Sequence, residues 1–297
     1  MKKIVFIVNP ISGTHDKKHI LQLIPQYFGE EDYEVVCTER AGHATEIARE
    51  AAKQGALMAV AIGGDGTVNE VAQGVAHTET ALGIIPCGSG NGLARHLGLS
   101  MKPQGALEAL KRAHIEQCDY GLICGHPFFC TAGVGFDAEV SDTFAKAGKR
   151  GLPTYFKTTI SVGMKYKGEE MDLEFDDGEV IKDGKFWLVT AGNAAQYGND
   201  FFITPDASLR DGYLDINLWE PFNKLTSPLV GIELHERKIT KNSHVRVKRC
   251  KKVTLHRKQE GPIQWDGDPA WGPKDVTMEI VEGGIKMVVG SPSKNQL

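Results

Sequence analysis

The first part of the chain alternates short apolar runs with amphipathic segments of helical length. The apolar runs predict four strands, at Ile4–Val8, Glu34–Thr38, Leu57–Ile62 and Leu82–Ile85. The amphipathic segments predict helices near Lys17–Phe28, Ala44–Gln54, Val68–Val75 and Pro103–Arg112. Strands that alternate with helices in this way predict a parallel α/β sheet covered on both faces.

After about Gly121 the pattern changes to short strands divided by Gly, Asp and Pro. These strands are predicted at Met171–Phe175, Phe186–Ala191, Tyr213–Trp219, His244–Val247, Val253–His256 and Val276–Val281. Their spacing predicts an antiparallel sandwich or barrel. Two helices interrupt it, near Pro153–Tyr166 and Pro228–Glu236, and the second is predicted to have Ser227 as its N-cap and Pro228 at its first position.

Length and composition indicate a folded, water-soluble chain with more than one core. The 297 residues are 41% hydrophobic and 24% charged, and the formal net charge of −4 gives no global attraction for nucleic acid. Six cysteines without a C-x-x-C pair indicate reduced thiols, and hence a cytoplasmic protein. The apolar stretches are too short for a signal peptide or a membrane span.

The segment Ala61–Glu70 has the properties of an anion-binding loop. It follows a strand, places Gly63, Gly64 and Gly66 around Asp65, and opens a helix at Thr67. Glycines let the backbone approach a phosphate, and the first turn of a helix offers free N–H groups. A carboxylate there would repel phosphate, so Asp65 implies either magnesium or a role in proton transfer.

Two further glycine-containing loops follow strands in the same part of the chain. They are Pro86–His96, where Ser89 and Asn91 carry donors, and Asn9–Gly13. Open α/β sheets bind ligands at the carboxyl ends of their strands, where all three loops are predicted to lie. Each loop alone is also compatible with a tight turn that has no ligand.

Together, six segments resemble the diacylglycerol kinase catalytic-domain family, the soluble bacterial lipid kinases related to sphingosine and ceramide kinases. The segments span nearly the whole chain, at Asn9–Gly13, Gly63–Glu70, Pro86–Asn91, Gly133–Ala138, Asp211–Asp215 and Gln264–Asp268. The resemblance implies an ATP- and Mg²⁺-dependent lipid kinase. It also implies a parallel α/β nucleotide-binding domain over 1–121, rejoined by 284–297, and a lipid-binding antiparallel β-sandwich domain over 122–283, with a cleft between them.

The resemblance also assigns roles to individual residues. A structural magnesium ion is implied at Asp211, with backbone groups of Ser208 and Tyr213. Asp137 is implied to lie near the lipid head group. ATP contacts are implied at Asn9, Pro10, Ser12, Gly13, Thr38, Gly63, Gly64, Asp65, Gly66, Thr67, Asn69, Gly88, Ser89 and Asn91.

The chain departs from the family pattern at two positions. The general base of the family is a glutamate where this chain has Asp268, so either Asp268 or Asp266 is the predicted base. Gly92 stands where many bacterial members carry an aspartate, and the Gly-Ser-Gly-Asn sequence before it resembles sphingosine and ceramide kinases instead. The segment around Asp211 is also compatible with a plain hairpin turn. The segment around Gly133 is equally compatible with a β-bulge.

Several alternatives therefore stay open at this stage. They are a sphingosine-type kinase, a NAD kinase, which shares Gly-Gly-Asp-Gly-Thr, and a nucleotide-binding regulator without catalysis. A lipid acceptor implies peripheral contact with the inner membrane surface, for which the basic stretches Arg246–Lys258 and Lys146–Arg150 are candidates. The oligomeric state stays open, a homodimer included.

Overall fold

The computed structural model describes residues 3–11, 17–148 and 152–290, which form two compact units. One unit contains Met1–Asp119 and Glu282–Leu297, and the other contains Tyr120–Val281. The chain therefore leaves the first unit and re-enters it near its end. We refer to them as the α/β unit and the β unit.

The α/β unit alternates strands and helices. Its elements are β1 (Ile4–Val8), α1 (Lys17–Leu23), β2 (Tyr33–Cys37), α2 (His43–Lys53), β3 (Met58–Gly63), α3 (Asp65–Val75), β4 (Ala81–Pro86), α4 (Gly92–His96) and α5 (Pro103–Arg112).

The strands of the α/β unit form a parallel sheet in the order β2-β1-β3-β4. Strands β1, β3 and β4 are buried along their whole length, as continuous apolar runs in a sheet covered on both faces should be. The returning chain adds a parallel pairing of Met287 with Leu82 of β4. Since the strands are parallel, the loops that follow them lie at one edge of the sheet.

The β unit contains most of the remaining strands. Its elements are β5 (Ile115–Ile123), which begins in the α/β unit, β6 (His126–Phe128), β7 (Thr131–Gly135), α6 (Phe136–Lys146), α7 (Leu152–Lys165), β8 (Glu169–Phe175), β9 (Val180–Phe186), β10 (Leu188–Gly192), β11 (Leu214–Trp219), α8 (Ser227–His235), β12 (Val245–Cys250), β13 (Lys252–Arg257), β14 (Gly261–Trp265), β15 (Asp268–Gly272) and β16 (Asp275–Val288), which ends in the α/β unit.

Two antiparallel layers enclose the core of the β unit. One is the six-stranded sheet β12-β11-β10-β7-β14-β15, and the other pairs β16-β13-β8-β9. Val134 and Ile216 from the first layer share an apolar cluster with Leu173 and Val253 from the second, and all four are buried. This arrangement confirms the predicted fold class, a parallel α/β region followed by an antiparallel β-sandwich.

Three local predictions were wrong. The first predicted helix ends at Leu23 and continues only as a 3₁₀ turn at Ile24–Gln26, which contains Pro25. Helix α6 was missed, because the glycine-rich segment at its start was compared only with a β-bulge. The N-cap of α8 is Thr226, so Ser227 lies inside the helix.

The basic stretch Arg246–Lys258 is largely neutralised by acidic side chains. Arg246 pairs with Glu179, Lys248 with Asp177 and Glu179, Arg249 with Asp211, Lys252 with Glu279, and Lys258 with Glu170. Charges paired in this way give a small net field outside the protein. The structure therefore favours a solvated face over a membrane-binding patch for this stretch.

Arg257 differs from the other residues of this stretch, because its side chain is buried and organises the β14–β15 hairpin, in addition to an ion pair with Glu169 at 3.8 Å. Its guanidinium donates to the carbonyl oxygens of Gly261, Pro262, Gly272 and Pro273 at 2.9–3.3 Å, at the open end of that hairpin. We expect Arg257→Met to leave these acceptors unpaired and to cost about 2–4 kcal/mol of unfolding free energy. Urea unfolding measures this, with the exposed and paired Lys258→Met as control; equal stabilities of the two variants would contradict it.

Candidate functional site

The three glycine-containing loops meet in the α/β unit. The Asn9 amide, after β1, donates to Thr67 Oγ1 at 3.2 Å at the start of α3. Asp65, after β3, accepts from the backbone of the loop after β4. The sequence predicted each loop separately, and the fold brings all three together at the carboxyl edge of the sheet.

Asp65 ties the loop after β3 to the loop after β4. Its two carboxylate oxygens accept the N–H groups of Asn91 at 3.0 Å and Gly92 at 2.9 Å. These amides lie at the start of α4, where a negative charge is favourable. A carboxylate accepts up to about four hydrogen or metal bonds. The contact is therefore compatible with an additional cation, and it gives Asp65 a structural role that the sequence did not reveal.

Glycines are required where two of these loops cross. A Cβ atom built on Gly88 would lie 2.8 Å from the Cα atom of Gly64, and one built on Gly63 would lie 2.5 Å from the Thr67 side chain. A side chain at Gly88 would push the two loops apart, and one at Gly63 would displace the Thr67 side chain in the first turn of α3. The close approach leaves backbone, rather than side chains, facing the space above the strand ends, as phosphate-binding loops require.

Asn91 shapes the loop after β4. It has a left-handed backbone with φ of 53°. Its amide oxygen accepts from Gly88 N at 2.9 Å and its amide nitrogen donates to Gly88 O at 2.7 Å. The sequence suggested that Asn91 donates to phosphate, whereas its side chain is here committed to holding the turn around Ser89, which is exposed.

The other residues predicted to contact ATP lie at several places in the α/β unit. Thr38 follows β2 at the same edge and donates its N–H to Val8 O at 2.8 Å. Pro10 is exposed after β1, and Asn69 is buried in α3, where it accepts from Gln73. Ser12 and Gly13 lie outside the described residues. The roles assigned to all these residues remain predictions.

In the β unit, Asp137 is the centre of a buried polar network. One of its oxygens accepts from Thr190 Oγ1 at 2.7 Å, Tyr197 Oη at 3.0 Å and Gln264 Nε2 at 3.1 Å, and the other accepts from Ala138 N at 2.8 Å. Burial raises the pKa of Asp137, against the opposing effect of these donors.

The raised pKa of Asp137 predicts how stability depends on pH. Because the folded pKa lies above the unfolded one of about 3.9, the contribution of Asp137 to stability is fully present below the unfolded pKa. It is lost as pH rises through the folded pKa. Asp137→Asn should remove this contribution, so the unfolding free energy of the wild type should fall relative to the variant as pH rises. Urea unfolding at a series of pH values measures the difference, and a difference independent of pH would contradict it.

The β14–β15 turn contains both predicted bases, in different surroundings. Asp266 accepts from the amides of Phe129, Cys130 and Thr131 at 2.8–3.1 Å, so its carboxylate anchors the turn to the start of β7. Asp268 is exposed at the first position of β15. Asp268 is therefore the better placed of the two to meet a substrate.

Gln264 connects this turn to Asp137. Its amide nitrogen donates to Asp137, and its amide oxygen accepts from Gly267 N at 3.1 Å. Asp137 and the Asp266–Asp268 turn therefore form one hydrogen-bonded unit. Gln264 begins one of the six segments that carry the resemblance, but its contact with Asp137 was not predicted. Thr190 and Tyr197 were missed, since each lies in or beside an apolar strand and no motif distinguishes it.

Asp211 has an arginine partner at the position predicted to hold magnesium. Its carboxylate accepts from Tyr213 N at 3.1 Å and from the guanidinium of Arg249. Arg249 also lies 3.4 Å from Asp215, whose pKa is raised to about 6 by burial and by the charges of Asp211 and Asp206 despite Arg249. Ser208 accepts from Arg210 N at 3.2 Å. The magnesium role of Asp211, Ser208 and Tyr213 stays a prediction.

Within the described ranges, no three His, Cys, Asp or Glu side chains are grouped so that they could hold a metal ion. Mg²⁺ usually takes one or two carboxylates and completes its shell with substrate phosphates and water. Asp65 is the carboxylate at this sheet edge that would serve such an ion.

Family comparisons cover both units. Residues 3–123 match the family described as the diacylglycerol kinase catalytic domain. Residues 130–289 match the YegS C-terminal NAD kinase beta sandwich-like domain. In the part of the chain that the structure describes, no helix is long and apolar enough to cross a membrane.

Individual relatives agree with these matches. A diacylglycerol kinase of Bacillus subtilis is 32% identical over an alignment of 276 positions, and the alignment covers 86% of this chain and 89% of the relative. A probable lipid kinase, YegS-like, of Chromohalobacter salexigens is 29% identical over 79% of this chain and 76% of its own length. A solved structure titled as a diacylglycerol kinase of Bacillus anthracis str. Sterne has a TM-score of 0.71 at 19% identity, over 98% of this chain and 97% of that one, which shows the shared fold.

Proposed function

Because this chain belongs to the diacylglycerol kinase catalytic domain family, we propose that it transfers the γ-phosphoryl group of ATP to a hydroxyl group of a diacylglycerol-like lipid. The observation that carries the proposal is the meeting of the three loops after β1, β3 and β4. Asn9, Asp65 and Gly88 hold these three loops together at the sheet edge.

In this proposal the loops bind the nucleotide through backbone groups. Gly63, Gly64 and Gly88 admit the phosphates, while Asn91 and Asp65 hold the loop after β4 in the conformation that receives them. Magnesium, carried with ATP, would neutralise charge on the phosphates. Asp65 is the carboxylate of this region best placed to face that ion.

The β unit is proposed to supply the lipid-facing groups. Asp268 accepts the proton of the attacking hydroxyl, because it is exposed and because Asp266 is occupied by three amides. Asp137, through Gln264, holds the turn that carries Asp268. The acceptor is proposed to be taken from a membrane surface by a cytoplasmic protein.

A NAD kinase is the second candidate, since residues 130–289 match a domain described as NAD kinase beta sandwich-like. Incubation with labelled ATP and a panel of acceptors separates the two. We expect label on one or more of diacylglycerol, monoacylglycerol, sphingosine, ceramide and phosphatidylglycerol, and none on NAD. Label on NAD alone would replace the lipid proposal with the NAD kinase one.

Magnesium dependence is a further expected property. A carboxylate beside a phosphate-binding loop is electrostatically unfavourable without a cation between them. We therefore expect phosphoryl transfer to stop when a chelator removes divalent ions and to return when Mg²⁺ is restored. Label transfer at matched ionic strength measures this, and full activity in the chelator would contradict the assigned role of the metal.

A further inference from the structure

Six large apolar side chains of the β unit are exposed on two helical segments. They lie on α7 and on the 3₁₀ turn and helix over 224–235, with exposed fractions from 53% for Ile232 to 87% for Leu225: Phe156, Ile160, Met164, Leu225, Leu229 and Ile232. We propose that these residues, here called the α7–α8 face, dock onto the surface of an anionic lipid bilayer. The proposal rests on the proposed function, which requires a lipid acceptor.

Helix α7 exposes apolar side chains on the side that faces away from the core. Phe156, Ile160 and Met164 recur every four residues and therefore share one side of the helix, and that side is exposed. Thr158, on another side, is buried. A helix on the surface of a globular protein ordinarily turns its apolar stripe inward and its polar side to water.

Helix α8 is apolar on both sides. Val230 and Leu234 pack into the cluster that contains Trp187 and Trp219, which satisfies the inner side. Leu229 and Ile232 lie on the outer side, where they are exposed and do not pack into this cluster. Apolar side chains left on the outer side of a helix favour contact with a second apolar surface.

The two segments belong to one continuous surface. The ammonium group of Lys224 donates to the carbonyl oxygens of Met164 at 2.9 Å and Tyr166 at 2.8 Å, which fixes the turn before α8 against the end of α7. The ring of Phe201 lies 6.5 Å from that of Phe156 and 6.3 Å from that of His235. The exposed apolar groups of both helices therefore lie side by side.

The charge around this face favours an anionic lipid surface. Helix α7 has Lys157 and Lys165 and no acidic residue, and the segment 224–235 has Lys224 and one acidic residue, Glu233, although the whole chain has a net charge of −4. Lys157, Lys165 and Lys167 are exposed. Exposed apolar side chains beside lysines are the combination that binds the interface of anionic bilayers.

The same charge disfavours a second copy of the chain as the occupant. A twofold pairing of this face would bring its lysines against one another, and like charges across an interface oppose association. A bilayer offers both the apolar layer and the negative head groups. It is also where a long-chain lipid acceptor resides.

Flotation with vesicles tests the proposal directly. The probe is a vesicle of phosphatidylcholine with phosphatidylglycerol, and the variant is Ile160→Gln/Leu225→Gln/Leu229→Gln, whose positions are exposed and do not support the core. We expect a partition coefficient lower by about tenfold or more. The matched control is Val180→Gln, an apolar residue of β9 that is 47% exposed and lies in another element, and it should bind like the wild type.

Two further experiments distinguish the membrane-docking proposal from the proposed function. Wild-type binding should weaken with rising salt and on vesicles of phosphatidylcholine alone. The triple variant should lose about tenfold in rate on diacylglycerol in vesicles and keep its rate on a dispersed short-chain diacylglycerol. Vesicle binding is informative even if no lipid is phosphorylated. The proposal is overturned if the wild type does not bind the vesicles, if the triple variant binds as well as the wild type, or if the substitutions convert a dimer to a monomer in sedimentation with vesicle binding unchanged.

Discussion

Asp268→Asn is expected to lower the turnover of lipid phosphorylation by about 10²–10⁴, the usual contribution of a general base. The amide cannot accept the proton of the attacking hydroxyl. Because Asp268 is exposed at the start of β15, its replacement should leave the melting temperature and the affinity for ATP nearly unchanged. Steady-state kinetics with a dispersed short-chain lipid measures the effect.

Asp266→Asn is the matched comparison, with a different expected result. This side chain accepts from three backbone amides, so the substitution places an NH₂ group or a weaker acceptor against N–H donors. We expect the free energy of unfolding to fall by about 1–3 kcal/mol. Activity should fall as well, because the disturbed turn carries Asp268. Asp268→Glu, which restores the residue of the family, should keep or raise turnover. Normal turnover in Asp268→Asn would remove Asp268 from the mechanism.

Asp65→Asn is expected to lower activity by orders of magnitude, and mainly through the nucleotide. The substitution removes the negative charge that faces the proposed magnesium ion and weakens the hydrogen bonds to Asn91 and Gly92. Charge-assisted hydrogen bonds of this kind contribute about 1.5–3 kcal/mol each, so part of the loss is a displaced loop after β4. The expected signature is a higher KM for ATP together with a lower kcat.

The control for Asp65 must separate loss of chemistry from loss of fold. Glu79→Gln removes a negative charge from an exposed position of the same unit and should leave kcat and KM unchanged. The far-UV circular dichroism of Asp65→Asn should match the wild type, since β1, β3 and β4 are held by their own apolar cores. A melted spectrum would mean that Asp65 serves the fold rather than catalysis.

The sequence predicted the α/β unit better than the β unit, for a physical reason. Continuous apolar strands and amphipathic helices contain their own signal, and α5 was predicted with its observed ends, Pro103 and Arg112. In the β unit, predicted strand Phe186–Ala191 proved to be the end of β9 and most of β10. Apolar and polar residues do not alternate there, so the sequence pattern does not show where β9 ends and β10 begins.

The residues of the candidate site also divide into those with a local sequence signal and those without one. Glycine-rich loops after strands identified Gly63, Asp65 and Gly88 because backbone access requires residues without side chains. Partners that come together only through tertiary structure had no local signal. Gln264 touches Asp137 across 127 positions, and Arg257 holds a hairpin through carbonyl groups that the sequence does not distinguish from any others.

The most direct test of the account is transfer of label from [γ-³²P]ATP to the organic phase. The purified chain is incubated with Mg²⁺ and dispersed short-chain diacylglycerol, the lipids are extracted, and the labelled product is identified by chromatography beside Asp65→Asn and Asp268→Asn reactions. We expect a labelled phosphatidic acid with the wild type and a product reduced by orders of magnitude with both variants. Label that stays in the aqueous phase with every lipid acceptor, or equal labelling by the wild type and both variants, would contradict it.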